Sequence, residues 1–358
     1  MDEILDGGVA EPAADEAGEA RALVRRLARG FVPAPRDAAA PQSARVAAPA
    51  RLHFGFLDLN FDLGRRFVGL GMAIDAPVTQ LVLTRAAEPG LAVAGPDAGR
   101  AGEHLGRLVA AHGVRGGLRL SIESAIPPHA GLGSGTQLAL AVAAAFAALE
   151  RPGVDAATLA RELGRAERSG IGLAAFSTGG VALDGGRGPA TEVPPILARL
   201  PFPAEWRVLL IFDAAHAGLS GVAEQAAFAA LPPGAEAVSE MLCRLIIVRG
   251  LPALAERDFA GFAATVGELQ RRVGDHFAPA QGGRFASPAV AAVLDWLAAD
   301  GWAGIGQTSW GPTGFCLVPD AAAAERLAEA ARARFAGEPR LSFAVVRGRN
   351  AGGRIAVR

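Results

Sequence analysis

The chain has 358 residues, 51% of them hydrophobic, and a formal net charge of −1 at pH 7, so it is long enough for two ordinary domains and carries no basic field for nucleic acid or an anionic membrane. Its 35 basic residues are all arginine, and it has no tyrosine, which excludes a Schiff-base or pyridoxal-phosphate lysine, a Walker A lysine and a tyrosine proton donor. The longest apolar run, residues 138–149, is shorter than the roughly 20 residues that span a bilayer, and the acidic first residues are opposite in charge to a signal peptide, so we expect a cytoplasmic protein.

Residues 1–45 are rich in Ala, Pro, Asp and Glu, a composition typical of a flexible extension. A first globular unit is predicted over 46–195. Apolar alternation predicts strands, and alanine- and leucine-rich stretches predict helices. Asp155 stands at the start of the second predicted helix. The predicted strands are 81–83, 118–123 and 179–184, and the predicted helices are 136–150 and 154–168.

A second unit is predicted over 196–358. Its predicted strands are 206–212, 315–318 and 342–346, and its predicted helices are 222–230, 236–249, 258–274, 288–299 and 320–335. A glycine-rich loop, 304–314, precedes the second of these strands. Because strands and helices are interleaved without a run of βαβ units or an internal repeat, the sequence predicts an α+β protein of two domains.

The segment 126–137, IPPHAGLGSGTQ, lies between a predicted strand and a predicted helix. Its alternating glycines let the backbone approach a ligand closely, and the helix that follows offers unpaired N–H groups and the positive end of its dipole. Together they predict an anion site suited to phosphate, with a plain strand–helix turn as the alternative. The candidate donor-binding residues are His129, Gly131, Leu132, Gly133, Ser134, Gly135 and Thr136.

Three segments, in the required order, resemble motifs of the GHMP kinase superfamily. Pro127-Pro-x-x-Gly-Leu-Gly-Ser134 resembles its phosphate-binding motif, Ala48–Gly55 resembles its amino-terminal motif, and Gly304–Gly314 stands in the place of its carboxy-terminal glycine loop. The resemblance covers about residues 46–358. It implies an amino-terminal domain like ribosomal protein S5 domain 2, a ferredoxin-like carboxy-terminal domain and a ligand cleft between them.

The sequence departs from these kinases at two catalytic positions. The kinases carry an aspartate in a stretch resembling S-G-I-D-N-A-x-S-T-x-G-G, whereas residues 169–180 read SGIGLAAFSTGG and place Gly172 at the aspartate. The lysine of the amino-terminal motif corresponds to Arg51. Because these groups activate the alcohol for phosphoryl transfer, their loss leaves a phosphate site without the kinase machinery.

This chain, with a phosphate loop but without the kinase aspartate and lysine, resembles one branch of the superfamily. That branch is the β-ribofuranosylaminobenzene 5′-phosphate synthase family. The segments that carry the resemblance are 51–58, 126–137, 168–172, 218–221, 280–283 and 306–313. The resemblance implies transfer of a phosphoribosyl group from phosphoribosyl pyrophosphate to 4-aminobenzoate or 4-hydroxybenzoate, with loss of CO₂ and pyrophosphate, to form a C-riboside in tetrahydromethanopterin biosynthesis. It also implies Mg²⁺ on the pyrophosphate. A GHMP-type small-molecule kinase using ATP and a non-catalytic ligand sensor are the alternatives.

The candidate catalytic residues are Arg51, His53 and Asp58, which lie in one segment. Arg51 is a candidate clamp for phosphate or carboxylate because its guanidinium suits either, with a surface arginine as the alternative. His53 would share a face with Arg51 in an extended segment and take a proton from the acceptor, with a structural histidine as the alternative. Arg168 is a candidate second phosphate contact.

The candidate acceptor-binding residues are Gln307, Thr308, Ser309 and Trp310. The first three offer neutral hydrogen-bonding groups, and the indole would either stack on the aromatic acceptor or pack in the core.

For the metal, the superfamily resemblance implies Ser134 together with a glutamate from the helix before Gly172. The sequence leaves Glu162 and Glu167 open as that glutamate. The implied partners are small-molecule substrates, without nucleic acid or membrane, and a homodimer is the candidate assembly.

Overall fold

The computed structural model describes residues 41–164, 169–218 and 221–358. The predicted extension lies outside these residues apart from 41–45, and 43–45 already belong to the first strand. The first strand therefore begins before the predicted start of the globular unit at residue 46.

The first part of the chain forms, in order, β1 (Ser43–Phe56), β2 (Gly69–Ala86), β3 (Leu91–Ala94), α1 (Ala98–Ala111), β4 (Gly117–Ser124), α2 (Ser134–Glu150), α3 (Ala156–Glu162), α4 (Ile171–Ser177), β5 (Val181–Asp184) and β6 (Ile196–Leu200). The second part forms β7 (Arg207–Asp213), α5 (Gly221–Ala230), α6 (Glu236–Leu245), a π-helical turn (Ile246–Gly250), α7 (Leu251–Glu256), α8 (Phe259–Gln281), α9 (Pro288–Ala299), β8 (Ile305–Gln307), β9 (Gly314–Val318), α10 (Ala321–Arg334), β10 (Leu341–Val346) and β11 (Arg354–Val357).

Two sheets organise these elements and confirm the α+β class. The larger sheet has the order β11-β1-β2-β4-β3, with β5 paired to β2 and β6 paired to β5. Its neighbours are antiparallel except for the parallel pair β3 and β4. The smaller sheet has the antiparallel order β10-β7-β9-β8.

Residues 196–200, which the predicted boundary places in the second unit, form β6 and pair with β5 in the first sheet. The change of sheet therefore comes after Leu200, and β11 returns at the end of the chain to pair with β1. One apolar cluster joins the two parts, since Phe54 and Leu70 of the first sheet pack together with Val208, Phe262 and Phe315.

Helix α2 anchors the segment that the sequence analysis placed at a phosphate. Leu138 and Phe146 are 1% and 0% exposed, and the alanines between them are buried as well. Because alanine side chains are short, α2 can lie close to β1, β2 and α3 on its different sides. The start of α2 is thereby held rigidly at the edge of the core.

Several predicted elements are confirmed with altered bounds. The helix predicted over 154–168 ends at Glu162 in the structure, and 165–168 lie outside the described residues. Its predicted start is confirmed, because Oδ1 of Asp155 accepts the N–H of Thr158 at 3.0 Å. In the described ranges, no helix combines the length and the apolar character needed to cross a membrane.

Candidate active site

The glycine segment forms a tight loop between β4 and α2. Gly131 and Gly133 have φ angles of 72° and 82°, in the left-handed region that favours glycine. Gly133 is the residue before α2 and offers no side chain to cap the helix, so the first-turn N–H groups have no side-chain cap. Such a helix start is suited to an anion.

The two glycine-rich segments predicted from the sequence lie against each other. The hydroxyl of Thr308 donates to the carbonyl of Gly131 at 2.9 Å and accepts the backbone N–H of His53 at 2.9 Å. A Cβ atom on Gly131 would lie 2.4 Å from the carbonyl oxygen of Thr308. Thr308 is thus a fully buried link between β1 and the two loops, rather than a free hydrogen-bonding group for the acceptor as the sequence suggested.

Arg51 places a positive charge beside the glycine loop. Its Nη1 atom donates to the carbonyl of Gly131, and a Cβ atom on Gly133 would lie 3.2 Å from its Cγ. Burial lowers the pKa of Arg51 to about 10, an effect that Glu224 partly opposes. The guanidinium therefore remains charged at neutral pH, as a phosphate clamp requires.

His53 is buried and neutral. Its Nδ1 accepts the N–H of Gly55 at 3.2 Å, so the hydrogen bonds assign the proton to Nε2. Burial and then the charge of Arg51 lower the pKa of His53 to about 3. The unprotonated Nδ1 is engaged in this geometry, and His53 as the group that takes a proton from the acceptor stays a prediction. The ring offers an Nε2–H donor.

A buried carboxylate lies behind His53. Asp184 is 0% exposed, and its Oδ2 accepts from the Ser169 hydroxyl and the Gly170 N–H, each at 2.8 Å. Burial raises the pKa of Asp184, and these hydrogen bonds oppose the rise. The Ser169 hydroxyl oxygen is also 3.5 Å from Nε2 of His53. Asp184 therefore orients Ser169, which in turn faces the histidine.

Beyond His53, a small cavity opens between the two parts of the chain. Four aromatic side chains, Phe56, Phe228, Phe277 and Trp310, form one wall, which we call the aromatic box. The Trp310 ring centroid lies 4.7 Å from that of Phe277 and 5.0 Å from that of Phe228. Trp310 is 5% exposed and packs in the apolar core, and it also lines the cavity, which gives the predicted aromatic contact an apolar setting.

Amide side chains hold the floor of the cavity. Gln270 accepts the N–H of Gln307 at 2.8 Å through its Oε1 atom. Gln307 in turn donates to Oε1 of Gln281 at 3.0 Å and accepts the N–H of Ala286 at 2.8 Å. Gln307 therefore lines the cavity, as does Ser309, but its amide is already engaged in positioning the loop.

Two predicted residues lie apart from this site. Oδ1 of Asp58 accepts the N–H groups of Asn60 and Phe61 at 2.9 and 3.2 Å, so the carboxylate stabilises a turn after β1 and does not line the cavity. Asp58 as a catalytic residue stays a prediction, and the structure shows for it a role in this turn.

Glu162 is likewise remote from Ser134. Its carboxylate lies 2.8 Å from Nε2 of His112, whose ring packs 5.7 Å from that of Phe146. Phe146 follows Ser134 by a rise of roughly 18 Å along α2. The structure therefore does not support Glu162 as a metal ligand beside Ser134. Glu167 and Arg168 lie outside the described residues.

Comparison with families and solved structures matches this architecture. Residues 100–180 match the GHMP kinases N terminal domain and residues 251–337 match the GHMP kinases C terminal family. Homoserine kinase from Cytophaga hutchinsonii superposes with a TM-score of 0.63 at 18% identity, covering 91% of this chain and 100% of that one. Mevalonate diphosphate decarboxylase from Staphylococcus aureus gives 0.58 at 14% identity, covering 88% and 98%. These likenesses show the fold.

Sequence relatives are more specific. Beta-ribofuranosylphenol 5'-phosphate synthase from Methanothermobacter thermautotrophicus is 28% identical over 295 residues, 77% of this chain and 88% of that protein. The protein of the same name from Archaeoglobus fulgidus is 31% identical over 239 residues, 63% of this chain and 75% of that protein. The chain belongs to the beta-ribofuranosylphenol 5'-phosphate synthase family. It is an enzyme, and its resemblance to this branch of the GHMP kinase superfamily is confirmed.

In this member of the synthase family, most residues of the cavity wall are not among the predicted site residues. Helix α8 contributes Gln270, Phe277 and Gln281 to the cavity, and α5 contributes Glu224 and Phe228. Both sets carry a signal, since spacings of seven and four residues in α8 and of four in α5 place each set on one helix face. The spacing alone does not tell which element the face meets.

Proposed function

We propose that this synthase joins the anomeric carbon of phosphoribosyl pyrophosphate to a 4-substituted benzoate, releasing pyrophosphate and CO₂. The observation that supports it best is the aromatic box beside the glycine loop. An uncapped helix start with the charged Arg51 suits a pyrophosphate, and the apolar wall that begins at His53 suits a benzene ring. The anion subsite and the ring cavity would be neighbours, since Thr308 links the carbonyl of Gly131 to the backbone of His53, which lines the cavity.

The reaction balances without an added acid, base or redox partner. The C1–O bond of the donor breaks, and its electron pair leaves with pyrophosphate. The ring carbon that bears the carboxylate supplies a π pair to form the C–C bond to C1. The bond to the carboxylate then breaks, CO₂ departs, and its electron pair restores the aromatic ring.

The chain's own residues would bind, orient and shield these groups. The loop amides and Arg51 would neutralise the departing pyrophosphate, which is the anion formed in the slow step. The aromatic box would hold the acceptor ring against C1 and exclude water from the reactive ribosyl carbon. His53 would donate its Nε2–H to a substrate oxygen in place of the long 3.5 Å contact with Ser169.

Magnesium is proposed to arrive with the pyrophosphate. Mg²⁺ keeps several waters and takes phosphate oxygens together with few protein ligands. The donor set fits this mode, because the Ser134 hydroxyl stands at the first position of α2, while the described residues contain no group of three or more His, Cys, Asp or Glu able to hold an ion. Ser134 would supply the protein oxygen, and the metal would neutralise pyrophosphate charge.

The identity of the acceptor draws on the relatives. Their name specifies a ribofuranosylphenol, which supports 4-hydroxybenzoate over 4-aminobenzoate for this chain. A role in tetrahydromethanopterin biosynthesis, a cytoplasmic location and a homodimer belong to the same proposal.

A competition assay tests the proposal. The purified enzyme is mixed with phosphoribosyl pyrophosphate, Mg²⁺ and equal amounts of both benzoates, and the C-ribosides are separated by mass. We expect the phenol riboside phosphate to dominate. A parallel reaction with ATP and homoserine- or mevalonate-type acceptors is expected to give no phosphorylated product. Phosphoryl transfer there, with no C-riboside from either benzoate, would overturn the proposal.

A further inference from the structure

We propose that the carboxylate of Glu224 faces the anomeric carbon of the bound donor and stabilises the positive charge that develops there as pyrophosphate leaves. This inference rests on the proposed function for the identity of the donor. It adds a catalytic group that none of the predicted site residues supplies.

The position of α5 between the two subsites is the first step. Just before α5, the N–H of Gly218 donates to the carbonyl of His129 in the glycine loop at 2.8 Å. Further along α5, the ring of Phe228 lies in the aromatic box, 5.0 Å from Trp310. Glu224 stands one turn before Phe228 on the same helix face. It therefore lies between the anion subsite and the ring subsite, at the level where the ribose must sit.

The charges around Glu224 are the second step. Glu224 lines the cavity together with His53, which is neutral, and it interacts electrostatically with Arg51. Among the described residues that line the cavity, it is the single carboxylate. In a donor bound with its pyrophosphate at the glycine loop, the guanidinium would lie toward the departing anion and the carboxylate toward the cation left behind. Opposite charges arranged along the breaking bond favour its heterolysis, because they are fixed before reaction begins.

The chemistry of the step requires no bond to Glu224. The C1–O pair leaves with pyrophosphate, the ribosyl ring carries the positive charge, and the acceptor ring carbon then supplies the new bonding pair. The carboxylate acts only through its charge, as a preorganised anion in a water-poor cavity. Its neutral isostere glutamine keeps the shape and removes the effect.

The test measures binding of a cationic mimic and does not depend on turnover. The probe is 1,4-dideoxy-1,4-imino-D-ribitol 5-phosphate, whose protonated ring nitrogen mimics the ribosyl cation. Its matched neutral comparator is 1,4-anhydro-D-ribitol 5-phosphate. Both are titrated calorimetrically into the full chain in saturating magnesium pyrophosphate. We expect the wild type to bind the imino compound at least about tenfold more tightly than the anhydro compound.

In Glu224→Gln this preference is expected to fall to about one, and kcat to fall about 100-fold. Glu224→Asp should retain part of the preference, and Glu236→Gln, an exposed glutamate at the start of α6, should keep all of it. An equal preference in wild type and Glu224→Gln would overturn the assignment, as would a wild type that binds neither compound. A Glu224→Gln variant whose only change is a raised Mg²⁺ requirement would overturn it in favour of a metal ligand.

The two proposals fail separately. A wild type whose cation preference is lost in Glu224→Gln but that forms no C-riboside keeps the Glu224 assignment and loses the proposed function. A wild type that forms the C-riboside, but whose preference for the imino compound equals that of Glu224→Gln, keeps the function and loses the assignment.

Discussion

A Cβ atom on Gly172 would lie 3.0 Å from Cγ2 of Thr136, so the threonine fills the space that a side chain at residue 172 would need. Gly172 stands where the resemblance to the GHMP kinases places the catalytic aspartate. The replacement of the aspartate by glycine therefore leaves no free space for a side chain at residue 172. The first turn of α2 packs against residue 172, and the side-chain amide of Gln137 donates to the carbonyl of Gly172 at 2.7 Å.

Restoring the aspartate should cost stability without creating a kinase. Gly172→Asp is expected to lower the free energy of unfolding by about 1–3 kcal/mol because of overpacking against Thr136. It should show no ATP-dependent phosphorylation. Urea denaturation and an ATP-turnover assay check the two parts. Gly172→Ala isolates the Cβ clash, and the double variant Gly172→Asp with Thr136→Ala should recover stability beyond additivity. ATP turnover by Gly172→Asp would contradict the account.

Burial of neutral His53 should make stability depend on pH. Its pKa is about 3 in the folded chain against about 6.5 when unfolded, so the unfolded chain binds more protons below pH 6.5. The contribution of neutral His53 to the free energy of unfolding is then fully present above that pH. It falls as the pH is lowered, by about 2 kcal/mol at pH 5. Urea unfolding of wild type and His53→Gln at neutral pH and at about pH 5 measures the difference.

The comparison removes other titrating groups, since they are common to both proteins. Burial also lowers the pKa of His276, and that contribution cancels. A wild type whose acid sensitivity equals that of His53→Gln would show that His53 is not the buried neutral group described.

Substitutions in the glycine loop should weaken binding of the donor. Gly131→Ala would place a Cβ atom 2.4 Å from the Thr308 carbonyl oxygen, and would strain a left-handed backbone by about 1–2 kcal/mol. The two loops must then separate, so the KM for phosphoribosyl pyrophosphate should rise at least about tenfold. Steady-state kinetics check this. Gly153→Ala is the matched control, because its φ is +94° and nothing lies within 4 Å of the added atom. Equal kinetic effects of the two variants would refute a specific role for the loop.

Arg51→Met should remove the positive charge beside the glycine loop while keeping much of the side-chain volume. A charge-assisted hydrogen bond contributes about 1.5–3 kcal/mol, so affinity for pyrophosphate should fall about 10- to 100-fold. Calorimetric titration with magnesium pyrophosphate measures it. The control is Arg45→Met on the same strand, where the arginine pairs with Glu123 at the surface. Unchanged affinity in Arg51→Met would show that another group clamps the anion.

The sequence predicted the parts of the site that are local in the chain. The glycine loop, the strand before it and the helix after it lie within one continuous segment, and their spacing alone specifies a strand–loop–helix with left-handed glycines. Thr308 and Trp310 were found because their loop occupies a known place in the superfamily.

The parts it could not predict depend on contacts between distant segments. Glu224 and Phe228 join the site only because the chain before α5 docks on the glycine loop. The neutral state of His53 depends on the hydrogen bond from the N–H of Gly55, on burial of the ring and on the charge of Arg51. Asp58 was a catalytic candidate because it is a carboxylate in the same segment as Arg51 and His53. Its carboxylate accepts the N–H of Asn60 in a local turn, a role that the residue type alone does not reveal.

Decarboxylating transfer of a phosphoribosyl group to a benzoate is measured most directly by the release of labelled CO₂. Carboxyl-labelled 4-hydroxybenzoate is incubated with the full chain, Mg²⁺ and phosphoribosyl pyrophosphate, and labelled CO₂ and pyrophosphate are counted together. The account predicts equal amounts of both products, with neither formed when the donor or the benzoate is omitted. Pyrophosphate without CO₂, or no CO₂ from either 4-hydroxybenzoate or 4-aminobenzoate, would contradict it.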